Sequence, residues 1–359
     1  MPKNKLKLLT IVGARPQFIK SSSISRVINK EYSDQIIEII VHTGQHYDAN
    51  MSDVFFKDLE IPKPKYNLAV GSASHAIQTA NMMIKLDNLL DIERPDLVLL
   101  YGDTNSTLAG AIVASKKNIQ IAHVEAGLRS FRAGMPEEIN RVVTDHLAAL
   151  LFCPTQAAVN NLIKEGREDA ILIGDVMLDS YLHYSKQYIQ NQDSKSGIFL
   201  TIHRAENTDN PELFKNIIKV IEEIAKTKNV IFAVHPRTKE KIVKSKLKLK
   251  NISLIDPLPY KETLELISKS KLVITDSGGI QKEAFFSRTR CVTLRDETEW
   301  LETLEDGWNS LIAPNLKISD MIQSIEDIYN SDYSNNNQKN FFGEGDSSIR
   351  IVKKILRCM

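Results

Sequence analysis

Short apolar runs that stop at a glycine or a polar turn, each giving way to residues at helical spacing, recur along almost the whole chain. Leu6–Val12 meets Gly13-Ala14-Arg15-Pro16, Ile36–Val41 meets His42-Thr43-Gly44, Leu97–Tyr101 meets Gly102-Asp103-Thr104, and Ile119–Val124 meets Glu125. Leu151–Cys153 and Ala170–Ile173 continue the series. Helical spacing begins near Pro16, covers Ala76–Leu90 and Ser106–Lys116, restarts at Met135-Pro136, covers Ala157–Lys164, and follows Val176. Strand–helix alternation of this kind predicts a parallel sheet wound on both faces.

The pattern then happens again. After the polar segment Lys186–Gly197, apolar runs fall at Ile198–Ile202, Val230–Val234, Ile252–Ile255, Leu272–Thr275 and Cys291–Leu294, with helical stretches between and after them. A chain of 359 residues is longer than one core usually organises. The expectation is therefore α/β: two Rossmann-like doubly wound domains with a deep cleft between them. The first spans 1–186 and the second 187–340, and a last helix within 341–359 is expected to pack back on the first.

Charge excludes some functions. A formal net charge of +1 gives no global attraction to nucleic acid or to an anionic membrane. The basic run Arg237–Lys250 reads as the solvated face of a helix. No stretch is apolar for the length of a membrane span, and MPKNKLKLLTIVG runs too quickly into a turn for a signal peptide. Three widely spaced cysteines make neither a disulfide framework nor a zinc site. His42 and His46 lack a third ligand nearby and read as loop residues, so no metal is expected. The expectation is a cytoplasmic protein that binds neither nucleic acid nor membrane.

The chemistry-bearing residues gather where strands end. In an open parallel sheet, that edge is where ligands bind. Asp103, Glu125 and Glu137 bring three carboxylates to it, the last in the first turn of a helix whose dipole favours an acid. Three acids at one edge suggest acid/base chemistry, and the plainer alternative makes Asp103 and Glu125 ion-pair partners of Arg129 and Arg141. The turn before Pro16 offers helix-start amides for a phosphate, with Arg15 and Lys20 to add charge. It lacks the full dinucleotide fingerprint, so no dinucleotide cofactor is indicated. In the second half, Asp276-Ser277-Gly278-Gly279 opens a helix with small residues, a donor hydroxyl and free amides suited to a diphosphate. Glu283, one turn on, is placed to hold a ribose.

Taken together, GARPQFIK, TGQH, GDTNSTLAGA, HVEAGLRS, MPEEINR, HRAEN, HPRT and DSGGIQKEA resemble, in this order, the motifs of the non-hydrolysing UDP-N-acetylglucosamine 2-epimerases. Several segments, such as RDETEW, look closer to a subgroup acting on UDP-2,3-diacetamido-2,3-dideoxy-glucuronate for O-antigen and capsule. The resemblance implies a GT-B-like pair of domains, a homodimer, and a UDP-acetamido sugar as substrate. It implies C2 inversion by elimination of UDP to a glycal and re-addition, without metal or cofactor. Carried over by motif, Asp103, Glu125, Glu137 and His203 are implied to be catalytic, and Arg15, Lys20, Ser277, Gly278, Gly279 and Glu283 to bind UDP. Gln45, Glu138, Arg204 and His235 match positions that take an activating second substrate molecule or support the site. Trp300 stands where the general members carry an arginine. A GT-B glycosyltransferase with a UDP-sugar donor is the rival reading.

Overall fold

The computed structural model describes residues 5–44, 59–186, 195–245, 249–332 and 338–359. The chain forms two compact units, Met1–His183 with Asn340–Met359, and Tyr184–Lys339.

The first unit is built on seven strands: β1 (Leu6–Val12), β2 (Ile36–His42), β3 (Tyr66–Asn67), β4 (Leu97–Tyr101), β5 (Gln120–Val124), β6 (Leu150–Cys153) and β7 (Ile171–Leu172). They lie in the order β3-β2-β1-β4-β5-β6-β7. Every pairing is parallel. The β4 run Leu97–Tyr101 is buried on both faces, as a central parallel strand must be. The helices are α1 (Arg15–Glu31), α2 (His75–Glu93), α3 (Asn105–Lys116), α4 (Pro136–Leu147), α5 (Gln156–Lys164) and α6 (Val176–Ser185). Strand order reverses between β1 and β4, so the ends of these two strands open the crevice typical of such sheets.

The second unit repeats the plan with β8 (Ile198–Thr201), β9 (Val230–Ala233), β10 (Ile252–Ile255), β11 (Leu272–Thr275), β12 (Arg290–Thr293) and β13 (Asn309–Leu311), ordered β10-β9-β8-β11-β12-β13. Its helices are a single turn α7 (Ala205–Thr208), then α8 (Pro211–Ile224), α9 (Pro236–Lys244), α10 (Tyr260–Lys269), α11 (Gly278–Phe286) and α12 (Ile318–Asn330). Period-two alternation sorts the strand side chains into two cores. Ile198, Leu200, Ile274 and Val292 pack with Phe214, Ile217 and Ile221 of α8 and Met321 and Ile325 of α12. Phe199, Val273 and Cys291 face the other way, onto Ile267 of α10 and Ala284 of α11. Each large aliphatic side chain so buried contributes about 1.5–3 kcal/mol.

The last helix, α13 (Ser347–Cys358), belongs to the first unit. It contacts α1, and the Asp179 carboxylate of α6 accepts the amides of Ser347 and Ser348 at 3.2 and 2.6 Å. The strand bounds follow the sequence expectation to within a residue or two. Among the short elements not foreseen are β3, β13, and α7 directly after His203-Arg204. The basic run that was read as one helix face is helical over Pro236–Lys244. Gln45, His46 and most of the segment read as a linker lie outside the described residues.

Candidate active site

In the first unit the site is assembled from the exits of β1, β4 and β5 and the inner face of α4. Gly102 leaves β4 at φ +59, a backbone state that suits glycine. A Cβ there would lie 3.1 Å from Lys20 Nζ and 3.3 Å from Glu125 Oε1. The missing side chain therefore makes room for a buried pair, in which the Lys20 ammonium donates to the Glu125 carboxylate at 2.5 Å. Glu125 itself sits at φ +72, an uncommon conformation for a residue with a side chain. Its N–H and that of Ala126 share the Phe152 carbonyl, both at 3.1 Å, which holds the kink in place.

Asp103 is gripped from α4. Its Oδ2 accepts from Arg141 Nε at 2.9 Å and from the second guanidinium arm at 2.6 Å, while its own carbonyl accepts from Asn140. The ion-pair alternative is thus half realised, since Asp103 pairs with Arg141 but Glu125 pairs with Lys20. Arg129 instead holds Asp145 and Glu165. Glu137 lies in the first turn of α4, and its side chain makes no hydrogen bond or ion pair among the described residues.

Glu138 next to it is fully engaged. Its carboxylate accepts the Ser130 and Phe131 amides at 2.8 and 2.9 Å and the Arg141 guanidinium at 2.9 Å. Burial pushes this carboxyl up, but the bonds from Ser130, Phe131 and Arg141 outweigh it and hold the group below the usual carboxylate range. Glu138 therefore anchors the loop before α4.

One expectation at this edge needs correction. The start of α1 is not an open phosphate cradle, because Gln17 Oε1 already accepts the amides of Gly13 and Ala14 at 2.8 and 3.1 Å. Pro16 has no N–H to offer. Gln17 in turn donates to the Tyr101 carbonyl and to Thr107, sewing α1 to the end of β4. Lys20 is likewise committed to Glu125, and Arg15 is half-buried at the turn.

In the second unit the organiser is Asp276, which has no exposed surface. Its carboxylate accepts the backbone amides of His203 and Arg204 and the Asn207 side chain, at 2.9–3.1 Å. The His203 ring lies beside it, Nδ1 at 3.2 Å. Burial raises the Asp276 carboxyl, but the His203, Arg204 and Asn207 bonds prevail and hold it below its ordinary value. The exits of β8 and β11 are thereby tied together where strand order reverses.

Ser277 caps α11 by accepting the Ile280 amide. The Gly278 and Gly279 amides make no hydrogen bond among the described residues, so this helix start, unlike that of α1, has donors to spare. A Cβ on Gly278 would approach Glu299 Oε1 to 2.9 Å and Trp300 Nε1 to 3.5 Å. Trp300 is buried, with Lys282 Nζ 3.6 Å from its ring centroid. Glu283 is only 3% exposed, deeper than a ribose ligand would need to be in this state. Arg204 stands 3.9 Å from Glu299, and His235 caps α9 with its ring 5.8 Å from that of His203.

Asp276 and Asp145 are the supporting residues that the sequence reading passed over. Asp276 had the same strand-end signal as Asp103. Asp145 falls one turn beyond Arg141 and two beyond Glu138, on the same face of α4.

Two parallel α/β units, with paired acids at one sheet edge and a free helix start at the other, define a nucleotide-handling enzyme of the doubly wound class. A sequence model of the UDP-N-acetylglucosamine 2-epimerase family matches residues 30–356. A UDP-N-acetylglucosamine 2-epimerase homolog of Methanococcus maripaludis is 48% identical over 97% of this chain and 99% of its own. The UDP-2,3-diacetamido-2,3-dideoxy-D-glucuronate 2-epimerase of Pseudomonas aeruginosa is 45% identical over 98% and 100%. The crystal structure of Methanocaldococcus jannaschii UDP-GlcNAc 2-epimerase in complex with UDP-GlcNAc and UDP aligns at a TM-score of 0.90 and 43% identity, covering 98% of this chain and 100% of that one. The chain belongs to the UDP-N-acetylglucosamine 2-epimerase family. It is an isomerase, a UDP-sugar 2-epimerase, and the glycosyltransferase reading is not favoured.

Proposed function

We propose that the protein inverts C2 of a UDP-2-acetamido sugar by eliminating UDP across C1–C2 and adding it back. No carbonyl acidifies the C2 proton, so direct exchange would be slow. Elimination avoids this: a base takes the C2 proton, the C1–O bond breaks, and UDP leaves with the electron pair. The glycal then accepts a proton at C2 on the opposite face while UDP re-adds to C1. Nothing is oxidised or reduced.

The observation that carries this reading is the pairing of Lys20 with Glu125 beside an Asp103 held by Arg141. Two differently supported carboxylates offer one group to take a proton and another to give it. Glu137, with no competing partner among the described residues, is the third catalytic candidate. In the second unit, the Gly278 and Gly279 amides and Ser277 receive the departing diphosphate, and His203, steadied by Asp276, offsets its charge. Arg15 and Glu283 complete the nucleotide contacts after rearrangement on binding. Glu138, Arg204 and His235 act as supporting residues. No metal or cofactor enters the scheme.

The relatives divide between two substrates, UDP-N-acetylglucosamine and the diacetamido-glucuronate sugar. We further propose a cytoplasmic homodimer. Free Cys153, Cys291 and Cys358 fit a reducing compartment. Ile77, Ile84 and Ile92 leave α2 an exposed apolar stripe fit for a second copy. No helix among the described residues is long and apolar enough to cross a membrane.

Proton NMR in deuterated water tests the function, with each of the two UDP-sugars in its own tube. The expected result is the C2 epimer with deuterium at C2 in one of them. Exchange in neither tube, or accumulation of free UDP with reducing sugar, contradicts the proposal.

A further inference from the structure

His123 lies on β5 with no exposed surface, two residues before Glu125. Its Nε2 stands 2.7 Å from the Gly102 carbonyl, and its Nδ1 stands 2.7 Å from Asp145 Oδ1. Both neighbours are acceptors: a backbone carbonyl has no proton to give, and Asp145 is held as a carboxylate. Its second oxygen takes Arg129 at 2.7 Å and the Gly127 amide at 3.1 Å. A neutral ring would therefore aim a lone pair at one of two oxygens at contact distance.

We infer that His123 donates from both ring nitrogens and is the positioning residue that fixes the Gly102 turn, and with it the spacing of the Asp103 and Glu125 carboxylates. Charge supports the assignment. A ring with both protons, the Asp145 carboxylate, the Arg129 guanidinium and the Glu165 carboxylate form a chain of alternating sign whose charges cancel. Arg167 and Asp169, an ion pair of their own, also face this cluster and add no net charge, while the Cys153 thiol is pushed up to about 12 by burial and by Asp145 and stays neutral.

The lever is short. Gly102 has both backbone groups tied to β5, its N–H to the Val124 carbonyl at 3.0 Å and its C=O to His123. Asp103 is the next residue, and Glu125 and Lys20 lie within 3.3 Å of where a Gly102 Cβ would be. Releasing the carbonyl frees the turn to rotate, and a shift on the order of 1 Å in a reacting carboxylate costs on the order of 100-fold in rate. α4 supplies three of the outer contacts: Glu138 holds the loop, Arg141 holds Asp103, and Asp145 holds His123.

The kinetic part rests on the proposed epimerase function; the protonation part does not. Ring-nitrogen NMR of nitrogen-15 histidine-labelled wild-type protein near neutral pH, assigned by contacts to Gly102, should show both His123 nitrogens protonated. One unprotonated nitrogen overturns the inference. In parallel, His123→Gln and Asp145→Asn should lower kcat on the order of 100-fold with KM within about twofold. A folded His123→Gln enzyme with wild-type kcat also overturns it. A wild type that epimerises neither sugar would contradict the function while leaving the NMR result to decide this inference.

Discussion

Asp276 is buried without exposed surface and survives as a carboxylate because three protein donors and the His203 ring converge on it. Its folded pKa lies below that of the unfolded chain, so it contributes stability above the unfolded value, about 3.9 for aspartate. That contribution is lost as pH falls through the lower folded value. Urea unfolding of the wild type and of Asp276→Asn should therefore differ at neutral pH, and the gap should shrink as pH falls below about 3.9. A gap that persists unchanged in acid would mean that some other feature of the substitution sets it. At this scale, residue type was readable from sequence, but residue pairing was not. Asp103, Glu125 and His203 announce themselves at strand ends. That Lys20 would meet Glu125, 105 positions away, or that Gln17 would fill the α1 amides, depends on a register and a side-chain reach that no local pattern encodes.

Elements are held at set separations by positions that bear no side chain. Gly127, in the turn after β5, sits at φ +83, and a Cβ there would come within 2.3 Å of the Ala158 carbonyl of α5. Gly127→Ala combines a strained backbone with a backbone clash, and should cost about 2–3 kcal/mol, read as a fall in the denaturant midpoint at unchanged m-value. A midpoint within error of wild type would show that α5 moves aside freely. The recurring apolar runs made most strands legible, since burial on both faces leaves little choice of residue, and helical spacing did the same for the longer helices. β3, β13 and α7 escaped because two to four residues carry no measurable period. Sheet order escaped as well, because it is fixed by contacts far apart in sequence, such as β1 pairing with β4.

Across the whole molecule the same order of six strands occurs twice, with β7 added to the first sheet, and the chain passes from the first unit to the second at His183–Tyr184 and returns at Lys339–Asn340. The return lets α13 bury Ile351, Val352 and Ile355 in the first unit. The proposed function assigns proton transfer to the first unit and the leaving diphosphate to the second. That division holds only if the sugar–diphosphate bond opens during every turnover. A UDP-sugar carrying oxygen-18 in the bridge between C1 and the β-phosphorus tests this directly. If UDP leaves and re-adds, the label scrambles into the non-bridging β-phosphate oxygens in step with deuterium uptake at C2. Epimer formed with deuterium at C2 but with the bridging label fully retained would contradict the account.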